Sequence, residues 1–297
     1  MKRIVLLMLI LAPAFAVNVN SQNTKATVDN LAAHAVKDTT QGWKHSGVAN
    51  VTFGQTALKD WFAGGDNQLS ANFLLNFSAN YVRNLWFWDN SLVMEYGMIN
   101  SSANGTQKAS DKFNLNSVAG RKISDKWSIS GLINFATQFD KGYNYSDPEP
   151  RNYISKLMAP AYLDAALGMS YKPFADVSFF ASPVAERATF VLDDYLSDLP
   201  SFGVEKGKKA KFETGAYLMG SLKKNFSGNF SVISTLYMFT PYTKDFGNVD
   251  ISWNMLLNYK LNKYFTATLN TTLRYYEKEL TKIQLKEIFG IGLTYTF

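Results

Sequence analysis

From Trp43 onward the chain alternates apolar and polar residues with period two, the spacing of a strand whose two faces meet different surroundings. The clearest row sets Leu69, Ala71, Phe73, Leu75, Phe77, Ala79 and Tyr81 against Ser70, Asn72, Asn76, Ser78 and Asn80. Leu74 is its one exception. Similar rows run from Trp127 to Phe139, Ala161 to Tyr171, Val249 to Tyr259, Phe265 to Tyr275 and Phe289 to Phe297. Such rows outrun the ~5–6 residues of a typical soluble strand and reach the ~9–11 that a tilted strand needs to cross a bilayer. The pattern predicts an all-β fold, a closed antiparallel transmembrane β-barrel. Closure also removes the sticky edges that so long a greasy sheet would otherwise expose.

Two kinds of connection alternate. Short ones fall at Arg83-Asn84, Ser124 to Lys126, Pro173 to Asp176, Asn225 to Gly228 and Leu261 to Lys263. Longer polar ones fall at Thr56 to Asn67, Asn100 to Ser110, Asp140 to Ala159, Pro183 to Lys209, Pro241 to Asn248 and Glu277 to Lys282. This asymmetry is that of bacterial barrels, with short periplasmic turns and long extracellular loops, and predicts about 12 strands. The stretch from Ala175 to Asp198 is ambiguous. Aromatics gather beside the short turns, at Trp86, Phe87, Trp88, Trp127, Phe174, Phe226, Tyr264, Phe265 and Phe297, where a periplasmic interfacial girdle is expected.

The ends fit export. Lys2 and Arg3 precede an apolar run from Ile4 to Leu11, and Ala14-Phe15-Ala16 forms a cleavage site. Residues 1–16 are read as a signal peptide, 17–40 as a flexible periplasmic segment and 41–297 as the barrel. Phe297 and Tyr295 are the expected membrane-insertion signal. In outer-membrane barrels a terminal Phe is what the barrel-insertion machinery reads, so that machinery and outer-membrane lipid are expected partners. With no cysteine, disulfides, thiolate metal sites and a lipid-anchored thiol are excluded. The net charge of +6 falls to +4 without Lys2 and Arg3, and the basic residues are scattered, so nucleic acid is not an expected partner.

Several segments resemble a family of outer-membrane β-barrels of Bacteroidota-type bacteria that is itself a domain of unknown function. They are Leu58 to Gly65, Thr137-Gln138-Phe139, Ala159 to Leu163, Ser182-Pro183, Phe202-Gly203-Val204, Gln284 to Glu287, Phe289 to Leu293 and Tyr295 to Phe297. The resemblance implies a barrel in the outer membrane of a diderm bacterium and supplies no catalytic or ligand residue.

The candidate chemistry is sparse. His34 and His45 are the only histidines, and Ser46 beside His45 points to the opposite face of its strand, so no catalytic constellation forms and no enzyme is read. Asp193, Asp194 and Asp198 offer carboxylates that would suit calcium but read better as a solvated acidic loop. Gly64-Gly65-Asp66-Asn67 lacks the Lys and helix of a phosphate loop and reads as a turn. Tyr143, Tyr145 and Tyr153 beside Arg151 could bind a sugar or fold over the mouth as a lid. No cofactor or metal is expected.

The inward polar face carries the candidate lumen lining: Glu95, Arg121, Gln138, Asp164, Lys172, Glu213, Asp250, Lys260 and Arg274. Inward charges in a lipid-enclosed barrel form either a solute path or a salt-bridged plug. The expected role is passage or binding of a small polar solute. The alternatives are a closed barrel with a structural or docking role in the envelope, then an outer-membrane hydrolase.

Overall fold

The structure is a computed structural model that describes residues 41–58, 66–145, 147, 150–199, 202–242, 247–277 and 279–296. The expected leader, the 17–40 segment, His34 and Phe297 lie outside the described residues, as do residues 59–65 of the first resembling segment.

Twelve strands form the wall. They are β1 (Gly42–Thr56), β2 (Gln68–Arg83), β3 (Trp86–Ser101), β4 (Gly105–Lys122), β5 (Trp127–Thr137), β8 (Ala161–Phe174), β9 (Val177–Phe190), β10 (Ala210–Asn225), β11 (Phe230–Pro241), β12 (Asp250–Lys260), β13 (Phe265–Tyr275) and β14 (Gln284–Thr296). Each pairs antiparallel with its neighbours, β5 with β8, and β14 returns to β1, so the sheet closes on itself. Between β5 and β8 the short strands β6 (Gly142–Tyr143) and β7 (Tyr153–Ser155) make a separate two-stranded sheet. A one-turn helix, α1 (Asp194–Ser197), sits between β9 and β10.

Alternation sorts the side chains. Along β2, Leu69 and Phe73 are exposed on the outer face, while Leu74, Ser78 and Asn80 are buried toward the axis. Leu74 therefore breaks the polar pattern without breaking the period. Around the wall the outer face is apolar and open, with Ile129, Leu167, Phe212 and Phe289 all strongly exposed. A soluble sheet would bury such residues against a second layer. Here the packed core lies inside the barrel, on the face that also carries the buried polar residues Asn50, Glu95, Asn134 and Asp164.

At the turn end Trp86, Trp88, Trp127, Phe174, Phe226, Tyr264 and Phe265 are exposed as a ring. Phe87 does not join them. It lies between Trp86 and Trp88 on a strand, so its side chain must take the opposite face, and it is buried inside.

Two expected loops are strand instead. β3 and β4 continue to Ser101 and Gly105 and leave a tight turn where a loop from Asn100 to Ser110 was expected. The polar residues Thr106, Gln107, Lys108 and Ser110 pair in the ladder all the same. The ambiguous region is β9, which runs on to Phe190, so the loop expected from Pro183 begins later. A bulge at Pro183 shifts the register against both neighbours, between Leu167 and Met169 and between Gly215 and Tyr217. It hides the alternation that a reader would look for. Ser182 Oγ supports it, accepting from the Val184 N–H at 3.1 Å and lying 2.7 Å from the Leu167 carbonyl. Glycine is required on either side, since a Cβ at Gly168 would stand 2.0 Å from the Ala181 oxygen and one at Gly215 would stand 2.1 Å from that of Thr240.

Candidate functional site

The inward faces divide the lumen into three levels. Toward the turn end a cavity of about 140 Å³ is lined by Asn80, Asp89, Asn116, Lys172, Lys223 and Tyr237, among others. Lys172 on β8 reaches Asp89 on β3, three strands away in the ring, at 3.3 Å. The middle level is apolar: Phe87, Val118, Leu132, Ala166, Phe180, Ala185, Tyr217 and Phe239 are buried together, with Met219 and Tyr237 packed on them. Phe180 and Tyr217 meet edge to face at 6.3 Å. Beyond this layer, toward the loops, a chamber of about 370 Å³ is lined by Lys112, Asn134, Asp164, Arg187, Asn254 and Arg274 with their neighbours. Tyr237 borders both cavities.

The chamber is cross-braced. Arg187 on β9 donates Nε to Asp164 at 2.6 Å and Nη1 to Asp250 at 2.9 Å, and its guanidinium lies 4.3 Å from the Phe239 ring. One cation on the apolar layer thus ties β9 to β8 beside it and to β12, three strands along the wall. Lys112 on β4 reaches Asn254 on β12 at 2.6 Å, and those strands stand opposite each other in the ring. Glu95, 1% exposed, accepts from Asn270 at 3.1 Å and faces Lys286 at 3.5 Å. Arg274 pairs with Glu279 at 2.7 Å, and Tyr162 also donates to that carboxylate. Buried charges of this kind stand only when paired and hydrogen-bonded.

The candidates named from sequence fall as follows. Asp164 and Asp250 meet on Arg187, and Glu95 and Arg274 lie in the same braced zone. Glu213 pairs with Lys211 on the same face of β10. Gln138 sits just past β5 on the chamber wall and bonds the Asp140 carbonyl at 3.3 Å. Lys172 belongs to the turn-side cavity, and Lys260 lies at the turn end of β12. Arg121 is a correction. It stands in register with the exposed Trp86 and Ile129, so it projects from the outer face at the turn-side rim, where a long cationic chain reaches water past apolar neighbours. Tyr295, opposite Ala49, is exposed on the outer face.

Sequence reading missed Arg187, Lys112, Lys286 and the aromatic layer. Lys112 and Lys286 carry the inward phase of Asn114 and Gln284 and were legible from alternation. Arg187 follows the bulge, where the phase had been lost.

Other motifs are spent internally. His45 stacks between Trp43 at 5.9 Å and Phe77 at 6.1 Å on the outer surface, while Ser46 is buried on the inner one. Asp193 caps α1 by accepting the Leu196 N–H at 2.9 Å and pairs with Lys156 and Tyr153. Burial would raise its pKa, but those hydrogen bonds outweigh it and hold the carboxyl below its ordinary value. Asp194 pairs with Lys209. Among the described residues no cluster could hold a metal ion. Asp66 and Asn67 accept backbone N–H groups of Ala103 and Leu58, as turn residues do. Tyr145 receives the Lys108 N–H of β4 and lies under Arg151, and Lys141 lies over Tyr153, so these aromatics pack against the chain's own strands and loops.

A family described as "Protein of unknown function (DUF3078)" matches residues 53–143. That span takes in the segments at 58–65 and 137–139 and leaves the later ones outside. No curated protein matches the chain. Among solved structures, the chain is similar to the translocator domain of the autotransporter NalP from Neisseria meningitidis, with 8% identity, TM-score 0.40 and coverage of 93% of this chain and 94% of that one. An outer-membrane channel from Pseudomonas putida F1 gives 10% identity, TM-score 0.38 and coverage of 94% and 99%. The NanC porin gives 8%, 0.38, and 84% and 98%. Likenesses this distant carry no functional argument, and the closed barrel stands on its own ladder.

Proposed function

We propose that this chain is an integral outer-membrane barrel of a diderm bacterium that takes a small polar solute into its loop-side chamber. The observation that carries the reading is a chamber of about 370 Å³ lined by charged and amide side chains, inside a wall whose outer face is apolar. Only hydrocarbon suits that outer face, and only water or a polar solute suits that lining. The short turns then face the periplasm and the loops face outward. We take the apolar cluster of Leu132, Phe180, Tyr217 and Phe239 as the constriction between entry and release, so passage needs it to move.

The same layer and the struts of Lys112 and Arg187 favour a second reading, a closed barrel with a structural or docking role. Planar-bilayer recording on the purified protein separates the two. Discrete openings in dilute salt, blocked by adding solute on the loop side, support passage. Silence under all voltages, in the intact protein and after the residues between β9 and β10 are shortened, refutes it.

A further inference from the structure

Hydrogen-bond bookkeeping in the loop-side chamber points to a substrate class. The inference rests on the solute reading above. Among the described residues, two buried side-chain atoms that line this chamber lack a partner, Arg274 Nε and Gln284 Nε2, and both are donors. They are cross-strand neighbours on β13 and β14. Two residues along each strand, on the same face, Thr272 opposes Lys286 and also opposes Asn254 on β12. Lys112 arrives at Asn254 from the opposite wall, so one patch of wall gathers an Arg, two Lys and an amide donor.

Four acceptor groups of the chamber and its surroundings are already used. Asn254 Oδ1 takes Lys112 and also Thr272 at 3.3 Å. Glu95 takes Asn270 and Lys286. Asp164 is held by Arg187, and Asp111 by Lys108 and the N–H groups of Phe139 and Asp140. Among the atoms that line the chamber the unpartnered ones are therefore donors; Glu277 Oε2, also unpartnered, belongs to a residue outside that lining. A buried donor left without an acceptor costs a large part of its desolvation, so a ligand that brings acceptors is favoured. The Arg274 guanidinium is preset for a planar one. It lies 4.0 Å from the Tyr276 ring and 5.4 Å from the Tyr162 ring, and its Nη2 is fixed on Glu279. A stacked, oriented guanidinium recognises a carboxylate better than a neutral hydroxyl.

We infer that the chamber selects small solutes bearing a carboxylate, bound at Arg274 and Gln284 with Lys112 and Lys286 alongside. The test is calorimetric titration of the full-length barrel in detergent micelles with D-gluconate and, separately, with D-glucitol, two six-carbon chains that differ at one end by carboxylate against alcohol. Gluconate is expected to bind at least about tenfold more tightly, the worth of one charge-assisted hydrogen bond. Gln284→Glu places an acceptor beside Arg274 and is expected to abolish the preference, as is Arg274→Gln. Heat-dependent gel mobility verifies that each variant is folded, and Gln284→Glu keeps the test alive if Arg274→Gln does not fold. Equal binding of the two solutes overturns the carboxylate assignment and leaves the polar-solute reading standing. Binding of neither overturns both. A preference that survives both substitutions overturns the assigned residues.

Discussion

Arg187 is where removing one side chain should cost most. It is 4% exposed and holds Asp164, 7% exposed, and Asp250, 22% exposed, against the Phe239 ring. In Arg187→Met the side-chain bulk stays but both carboxylates lose their cation. Breaking a buried pair from one side costs ~3–5 kcal/mol, because the surviving charge is stranded. Asp250 is the more exposed of the two and can recover some hydration, so the cost rests mainly on Asp164 and should fall near the lower end, about 3 kcal/mol. That is a loss of more than about a hundredfold in the folding constant. Reversible urea unfolding from lipid vesicles, followed by tryptophan fluorescence, measures it. The double variant Arg187→Met with Asp164→Asn should be less destabilised than the sum of the singles, since the stranded charge has gone. A single-variant cost under about 1 kcal/mol, the range of a surface pair, would refute the buried-strut reasoning. So would strict additivity in the double variant.

Three further outcomes follow from the same geometry. Tyr237→Ala removes the side chain shared by the two cavities, and single-channel recording should show a larger or more frequent conductance than the parent; an unchanged trace would argue that the constriction lies elsewhere. Gly168→Ala forces a Cβ onto the Ala181 carbonyl and should cost ~1–3 kcal/mol in the urea midpoint, whereas Gly131→Ala meets first the Leu167 methyl at 3.3 Å, which can turn aside, and should cost less. At α1, the Asp193 carboxyl is held below its ordinary value, so its stabilising contribution is complete above the ordinary carboxylate pKa and is lost as pH falls through the lowered one. Hydrogen exchange at the Leu196 amide should therefore lose protection in acid, and Asp193→Ala should abolish that pH dependence.

Alternation made the wall legible because it is a local property. A residue two places along must share a face, so the β2 row needed no knowledge of partners. Ring closure and the β5–β8 pairing across the β6–β7 insertion followed from the need to hide edges. What stayed hidden depends on contacts between distant strands. Nothing local tells that Lys112 spans to Asn254, or that Asp164 and Asp250 share one arginine. The aromatic layer was obscured for a second reason. Apolar residues on the expected polar face, such as Leu132 and Phe239, look like noise in the pattern until several strands bring them to one level. Arg121 and Phe87 went astray for a third: near a strand end, charge suggested the lumen and aromaticity suggested the girdle, and the phase overruled both.

The account stands on the outer face meeting hydrocarbon. The chain has no native cysteine, so single cysteines introduced along β2 can be spin-labelled without background. In lipid vesicles, collision rates with oxygen, which concentrates in the bilayer, and with a water-soluble nickel chelate should alternate. Positions 71, 73, 75, 77 and 79 should favour oxygen, and 72, 74, 76, 78 and 80 should not. Equal access of the nickel chelate to both sets would contradict the membrane barrel.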